Sequence, residues 1–153
     1  MAGFAESLML HQVGVIPIRG VEPDLRTVLL ITSRETRRWI VPKGWPMSGR
    51  PDHRAAATEA REEAGVIGRV HRWPVGHYDY VKMRPGRTDV LRVVLYVLEV
   101  ERQLERWKEQ GQREVRWFPV PEAVEAVAQP QLAAVIGSRA ECNPMKGICG
   151  RLS

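Results

Sequence analysis

Hydrophobic residues follow two different patterns along the first half of the chain. Residues 12–18 show a period-two alternation with β-branched side chains, and an almost unbroken apolar run follows at Thr27–Thr32. Both patterns predict strands, joined by a turn at residues 20–24. A short extended piece at residues 39–42 leads into residues 43–51, which contain two glycines and two prolines and are predicted to form a loop.

The clearest helix is predicted at Asp52–Ala64. This segment is rich in alanine, and Thr58 is its only β-branched residue. Asp52 is the predicted N-cap, and Gly65 suits the position just after a helix C-terminus.

The second half of the chain alternates strand and helix signals. Strands are predicted at residues 70–81, 91–100 and 115–119, with a basic loop at residues 83–88 between the first two. Two helices are predicted to begin near Pro121 and Pro130, because proline suits the first turn of a helix, and to end at about residues 128 and 139.

These elements predict an α/β layered domain with a mixed central sheet. No repeat, linker or low-complexity segment divides the 153 residues. We therefore expect one domain over residues 1–153, with a core at about residues 10–140 and a C-terminal tail at residues 141–153.

The composition is that of an ordinary globular domain, with 44% hydrophobic and 27% charged residues, which excludes a disordered or fibrous chain. Apolar runs fall far short of the roughly 20 residues of a membrane helix, and the N-terminus lacks signal-peptide features. We expect a cytoplasmic protein without a membrane partner. Cys142 and Cys149 have no nearby histidine and are expected to be reduced thiols that bind no metal.

The net charge of +5 is concentrated in two stretches. Residues 34–54 carry six basic and two acidic residues, a balance of +4, and residues 82–92 carry four and one, a balance of +3. Such a basic field attracts anionic ligands, although each residue could equally belong to a solvated surface. The candidates for phosphate contacts in these stretches are Arg34, Arg38, Lys43, Arg84 and Arg87.

Glu59, Glu62 and Glu63 stand at positions i, i+3 and i+4 of the predicted helix. At about 100° per residue, this spacing projects all three carboxylates from one face. Because like charges at this spacing repel each other, the cluster is either a solvated acidic surface or a cation site. Magnesium is the cation that prefers such oxygen ligands.

The segment before the helix favours the cation site. Residues 42–46 read Pro-Lys-Gly-Trp-Pro, a turn in which Gly44 permits close approach of the backbone to a ligand and can offer its carbonyl to the same metal. Clustered acids beside many basic residues suit a phosphate substrate with magnesium. The metal neutralises phosphate charge and acidifies a bound water, while Arg and Lys hold the remaining oxygens.

Residues 44–66 resemble the Nudix box, in which a glycine precedes a Glu, an Arg-Glu pair, a Glu-Glu pair and a second glycine at fixed spacing. The residues that match in register are Gly44, Glu59, Ala60, Glu62, Glu63, Gly65 and Val66. Arg50 stands where the pattern has its first Glu, and Thr58 stands where it has Arg. Because an acid and a base that could pair are both replaced, we interpret the box as a functional variant, in which Arg50 is free to contact substrate phosphate.

The resemblance extends over about residues 10–127. Residues 12–14, 39–46 and 113–118 are similar to bacterial members of the diphosphoinositol polyphosphate phosphohydrolase-like branch. The resemblance implies a Nudix-type α/β/α sandwich with a mixed central sheet. It also implies a pyrophosphohydrolase that cleaves a phosphoanhydride bond in a nucleoside- or inositol-polyphosphate-type substrate by attack of metal-activated water.

The resemblance further implies a Mg²⁺ cofactor, with Mn²⁺ as the alternative. The implied metal ligands are Gly44, Glu59, Glu62 and Glu63. Family members often use another acid from a later loop or strand as a base or metal ligand, and Glu114 is the first candidate here, with Glu109 the second. The predicted catalytic set is Glu59, Glu62, Glu63 and Glu114.

Two other functions compete with hydrolysis. The replacements at Arg50 and Thr58 leave open a non-catalytic sensor that keeps the Nudix fold and binds a phosphorylated metabolite. A nucleic-acid partner is not expected despite the pI near 9.7, because the chain has no recognised nucleic-acid module or aromatic stacking platform. The expected partner is a phosphorylated small molecule.

Overall fold

The computed structural model describes residues 7–139; the predicted tail with Cys142 and Cys149 lies outside the described residues. A short 3-10 turn occupies Pro23–Leu25. The other elements follow in the order β1 (Ser7–Arg19), β2 (Thr27–Thr32), β3 (Trp39–Ile40), β4 (Lys43–Gly44), α1 (Asp52–Ala64), β5 (Val66–Val70), β6 (Gly76–Arg84), β7 (Arg87–Gln103), β8 (Val115–Pro119), α2 (Val120–Ala126) and α3 (Pro130–Ser138).

The two long strands β1 and β7 form the parallel centre of the sheet. They stay in register from Ser7 opposite Thr88 to Ile18 opposite Glu99. The other pairings are antiparallel: β2 and β4 with β1, β3 and β8 with β2, and β5 and β6 with β7. The mixed sheet that the sequence predicts is therefore confirmed.

Helices cover both faces of this sheet. Helix α1 packs on one face through its alanines, and helices α2 and α3 pack on the other face through Ala123, Leu132 and Ile136. Strand β2 is buried between the two layers: Leu29 faces α1, while Leu30 faces α2 and α3. This burial on both faces explains why β2 is apolar throughout instead of alternating. The α/β/α sandwich is confirmed.

Four local predictions need correction. The strand predicted at residues 70–81 is two strands, β5 and β6, separated by a segment that contains Pro74. Strand β7 is longer than predicted because it pairs with three partners, β1, β5 and β6. Two residues of the predicted loop, Lys43 and Gly44, form strand β4, and the N-cap of α1 is Pro51, not Asp52, with no side-chain capping bond.

Gly65 ends helix α1 and joins it to the loop at residues 104–114. Its φ is 68°, and a Cβ added there would overlap the ring of Trp107. Its carbonyl accepts hydrogen bonds from Leu104 N at 2.7 Å and from Gln103 Nε2 at 2.9 Å. Both the left-handed backbone and the overlying ring therefore require glycine, and the contact fixes this loop against the helix.

We expect Gly65→Ala to lower the free energy of unfolding by more than about 1 kcal/mol, because the left-handed φ alone costs about that much and Trp107 must also move. Gly86→Ala is the matched control, since Gly86 has a φ of 77° but open space around it. Urea unfolding of both variants measures the difference. Equal losses would contradict a role for the Trp107 contact.

Candidate functional site

A cleft of about 440 Å³ opens where β1, α1 and the turn after β3 meet. This volume suits a small-molecule site. The lining residues are Gln12, Arg34, Ile40, Lys43, Gly44, Trp45, Pro46, Met47, Glu59, Glu63 and Arg113. Five of the residues predicted from sequence are among them, namely Arg34, Lys43, Gly44, Glu59 and Glu63.

The carboxyl groups of Glu59 and Glu63 lie one helical turn apart, close enough for each to influence the pKa of the other. Glu63 is only 6% exposed, because it borders the alanine face that packs on the sheet. Burial, opposed by Arg113 and reinforced by the charge of Glu59, raises the pKa of Glu63 to about 8. Burial also raises the pKa of Glu59. Two acids in this position favour sharing a proton or a cation.

The backbone of β4 lies directly against these two acids. Lys43 N donates a hydrogen bond to Glu63 Oε1 at 3.2 Å, and a Cβ added at Gly44 would overlap the Glu59 carboxyl. Pairing of Gly44 with Val13 of β1 holds the turn in place. Glycine is therefore needed at this position because the chain passes so close to a carboxylate.

The chemistry of this donor set fits a hard divalent cation. Glu59 and Glu63 supply carboxylate oxygens beside the backbone of Gly44, and such oxygens are the ligands that magnesium prefers. Across residues 7–139, however, no group of three or more His, Cys, Asp or Glu side chains is arranged to hold a metal ion. The carboxylate of Glu62 pairs instead with Lys108, at 3.8 Å. The structure thus brings two of the three predicted acids together and leaves Glu62 outside the cleft lining.

Arg113 places a positive charge beside Glu63 and Glu109. It was not among the residues predicted from the sequence. Its side chain is 9% exposed, and its Nη2 lies 3.7 Å from Glu63 Oε2 and 3.3 Å from Glu109 Oε1. Its Nη1 also donates to the carbonyl of Thr32 at 3.2 Å. The i, i+4 spacing of Glu109 and Arg113 is the sequence signal for their pairing; the contact with Glu63 has no local signal.

Of the two candidates for the additional acid, Glu109 and not Glu114 lies at the acidic end of α1. Glu109 N donates to the carbonyl of Glu62 at 2.9 Å, which brings Glu109 to the acidic end of α1, where its charge raises the pKa values of Glu59 and Glu63. The carboxylate of Glu114 is 57% exposed and pairs with Arg116 at 3.4 Å. Neither acid is among the residues that line the cleft, but only Glu109 is held at the acidic end of α1.

Arg34 and Lys43 line the cleft, but the other predicted phosphate contacts do not. Arg84 and Arg87 lie 2.8 Å and 3.3 Å from the fully buried carboxylate of Asp89. A buried carboxylate needs such counter-charges, so these two arginines stabilise Asp89 within the β6–β7 hairpin. Arg38 is exposed and outside the lining.

The two residues that depart from the Nudix box contact each other. Arg50 Nη1 donates to Thr58 Oγ1 at 2.7 Å, and the Thr58 hydroxyl donates to the carbonyl of Arg54 at 3.0 Å. The hydrogen bond joins the loop to α1 at the two positions where the box has an acid and a base. Arg50 is thus engaged with the helix and lies outside the cleft lining, which departs from the predicted phosphate contact.

The family model described as NUDIX domain matches residues 10–136. The chain belongs to the Nudix family. Nudix hydrolase 18 of Arabidopsis thaliana, described as mitochondrial, is 34% identical over 121 residues, which cover 74% of this chain and 66% of that protein. The human diphosphoinositol polyphosphate phosphohydrolase 3-beta is 34% identical over 108 residues, covering 69% and 62%.

This Nudix chain spans 50% to 66% of the length of the first five curated relatives it matches. The relatives named above are a plant and a mammalian protein, so they do not support the predicted bacterial branch. Several plant relatives are described as mitochondrial, so the cytoplasmic location stays a prediction. Between residues 7 and 139, no helix is both long and apolar enough to cross a membrane.

Two solved structures show the same fold. A binary complex of the C. elegans Ap4A hydrolase aligns with a TM-score of 0.61 at 18% identity, covering 91% of this chain and 99% of that one. The NUDIX domain of Shewanella oneidensis NrtR, complexed with ADP ribose, aligns with a TM-score of 0.60 at 14% identity, covering 87% and 88%. The likeness at these identities confirms the Nudix fold.

The Arg50–Thr58 contact predicts the outcome of restoring the box. Thr58→Arg alone should lower the urea midpoint slightly, because it places a second guanidinium beside Arg50. Adding Arg50→Glu should restore the midpoint, since the new acid and base can pair. A double variant less stable than Thr58→Arg would contradict this pairing.

Proposed function

We propose that this protein is a magnesium-dependent Nudix pyrophosphohydrolase, with Mn²⁺ as the alternative metal, that cleaves a phosphoanhydride bond in a nucleoside-polyphosphate-type substrate. The observation that carries this proposal is the close pair of Glu59, which is half-buried, and Glu63, which is buried, in a cleft that also contains cations. The curated relatives support the same reaction, since they are named Nudix hydrolases and diphosphoinositol polyphosphate phosphohydrolases.

Different residues of the cleft bind the metal ion and the phosphate chain. Glu59 and Glu63, with the Gly44 carbonyl, would hold the magnesium ion. When bound, such an ion neutralises phosphate charge and lowers the pKa of a water ligand. Lys43 and Arg34 line the cleft and bind oxygens of the phosphate chain. This electrostatic hold favours the transition state, in which charge spreads over the phosphoryl oxygens.

Glu109 is the residue we assign as general base for the attacking water. A backbone hydrogen bond from Glu109 N to the carbonyl of Glu62 holds Glu109 beside Glu62, and Glu109 Oε1 lies 3.3 Å from Arg113 Nη2. Since Glu109 is not among the proposed metal ligands, its carboxylate can accept a proton from the attacking water.

The cleft favours a nucleoside-type substrate over an inositol pyrophosphate. Its cations are Arg34, Lys43 and Arg113, and Arg113 is already paired with acids. An inositol ring carrying phosphates on every side requires more cations than these. The rest of the lining contains Trp45, which is 49% exposed, with Pro46, Met47 and Ile40. This apolar part suits a flat base, which can stack on an indole ring. The Ap4A hydrolase and ADP-ribose complexes are consistent with such a ligand.

We expect Glu63→Gln and Glu109→Gln each to lower kcat by at least about 100-fold, because they remove a metal ligand and a base. Glu114→Gln is the matched control and should retain nearly full activity, since its carboxylate faces solvent. Product release from dinucleoside polyphosphates, nucleotide sugars and inositol pyrophosphates is measured with and without Mg²⁺. Absence of turnover on all of them would refute hydrolysis, and an inactive Glu114→Gln with an active Glu109→Gln would reverse the assignment of the base.

Trp45→Ala tests the nucleoside-type substrate. Losing a stacked base contact should raise KM for a dinucleoside polyphosphate by about tenfold, with little change in kcat. KM for inorganic tripolyphosphate, which has no base, should stay the same. An equal rise for both substrates would mean that Trp45 shapes the cleft without stacking on a base.

The sensor hypothesis has one observation in its favour. Arg113 lies 3.7 Å from Glu63, and a resident cation beside a predicted metal ligand can take over the role of the metal. Calorimetry with ADP-ribose, combined with product analysis of the same sample, separates the two functions. Tight binding of a ligand that stays intact in the presence of Mg²⁺ supports the sensor, and its cleavage supports the hydrolase.

A further inference from the structure

Three side chains from strands β4, β6 and β1 form a hydrogen-bonded chain at the cleft. Lys43 Nζ donates to Tyr80 Oη at 3.0 Å, and Tyr80 Oη donates to Gln12 Oε1 at 2.8 Å. The ammonium of Lys43 also lies 4.7 Å from the centroid of the Tyr80 ring. Both ends of the chain, Lys43 and Gln12, line the cleft, and Gln12 is only 6% exposed.

The direction of this chain is fixed by the chemistry of its ends. An ammonium can only donate hydrogen bonds, and a carbonyl oxygen can only accept them. The Tyr80 hydroxyl must therefore accept from Lys43 and donate to Gln12. Tyr80 Oη accepts a hydrogen bond from one of the three N–H groups of Lys43. This bond holds the ammonium at the cleft wall, and the other two N–H groups remain available to a ligand.

The charge of Lys43 has no dedicated counter-charge. Within residues 7–139, no carboxylate forms an ion pair with Lys43; the acidic charges that act on it are those of Glu63 and Glu59. Both of these belong to the proposed metal site. A partly buried ammonium without a carboxylate partner costs stability, and such costs are commonly retained where a site must bind a ligand of opposite charge.

We propose that Tyr80 and Gln12 are positioning residues that hold the Lys43 ammonium in the cleft to bind an oxygen of the substrate's phosphate chain. The proposal rests on the proposed function for the identity of the ligand as a phosphate chain. It adds two residues to the binding machinery that the box pattern does not contain. It also explains why a polar side chain, Gln12, is buried at the centre of strand β1.

Strand β6 provides a matched control two residues before Tyr80. Tyr78 lies on the same face of strand β6 as Tyr80 and is 1% exposed. Its hydroxyl has no hydrogen-bond partner among the described residues. Tyr78→Phe and Tyr80→Phe therefore make the same chemical change in the same strand, but only the second removes a link to Lys43.

The experiment measures binding and turnover for both variants. Calorimetry with imidodiphosphate, whose P–N–P bridge resists hydrolysis, gives Kd in the presence of Mg²⁺. Tyr80→Phe should raise this Kd, and KM for the substrate, by about tenfold while kcat changes less than about twofold, because the lost hydrogen bond involves a charged group. Tyr78→Phe should leave Kd, KM and kcat unchanged. Equal effects of the two variants would overturn the proposal.

A double-mutant cycle tests whether Tyr80 acts through Lys43. Lys43→Met should weaken imidodiphosphate binding by more than Tyr80→Phe does, and adding Tyr80→Phe to Lys43→Met should then have no further effect. An additive double variant would overturn the proposal. Gln12→Met, which keeps the Tyr80 hydroxyl, provides the same cycle if Tyr80→Phe fails to fold. Failure of the wild-type protein to hydrolyse any substrate would refute the proposed function, while the imidodiphosphate measurements still decide this inference.

Discussion

The site depends on two neighbouring carboxyl groups, one buried and one half-buried, at the edge of the alanine face of α1. Glu59 and Glu63 lie one turn apart, and packing of the helix on the sheet removes Glu63 almost completely from water. A buried acid beside a second acid is costly unless nearby donors and cations stabilise it. The surrounding structure meets this requirement with the backbone N–H of Lys43 and the guanidinium of Arg113. Strand β4 and the loop before β8 are thus both tied to the same two side chains.

Gly65 and Trp107 connect this electrostatic requirement to the fold. The left-handed turn at Gly65 lets the indole ring of Trp107 lie over the end of α1, and the loop at residues 104–114 then hydrogen-bonds to the helix terminus. That docking brings Glu109 and Arg113 to the acidic end of the helix. The second glycine of the box therefore affects the site indirectly, through the loop it supports.

Local patterns in the sequence were sufficient to predict α1, strand β2 and the acids at the cleft, because helix periodicity, alanine content and the spacing from Gly44 involve residues close in the chain. Strand β7 exceeded its predicted length because its ends are defined by partners far away in sequence. The same limit applies to the cations. Nothing near Arg84 and Arg87 in the basic loop reveals that Asp89 is buried and needs both of them, and nothing near Arg113 reveals its contact with Glu63.

The distribution of charge in the folded chain changes what the net charge of +5 implies. In the stretch at residues 82–92, three of the four cations are paired with acids: Arg84 and Arg87 with Asp89, and Arg92 with Asp79. In the stretch at residues 34–54, Arg50 is bonded to α1, while Arg34 and Lys43 reach the cleft. A ligand entering the cleft therefore meets a small number of oriented cations next to two acids, not a broad basic surface. Such an arrangement selects ligands by where their phosphates lie relative to the acids, because oriented donors in a partly buried cleft act more strongly than solvated charges do.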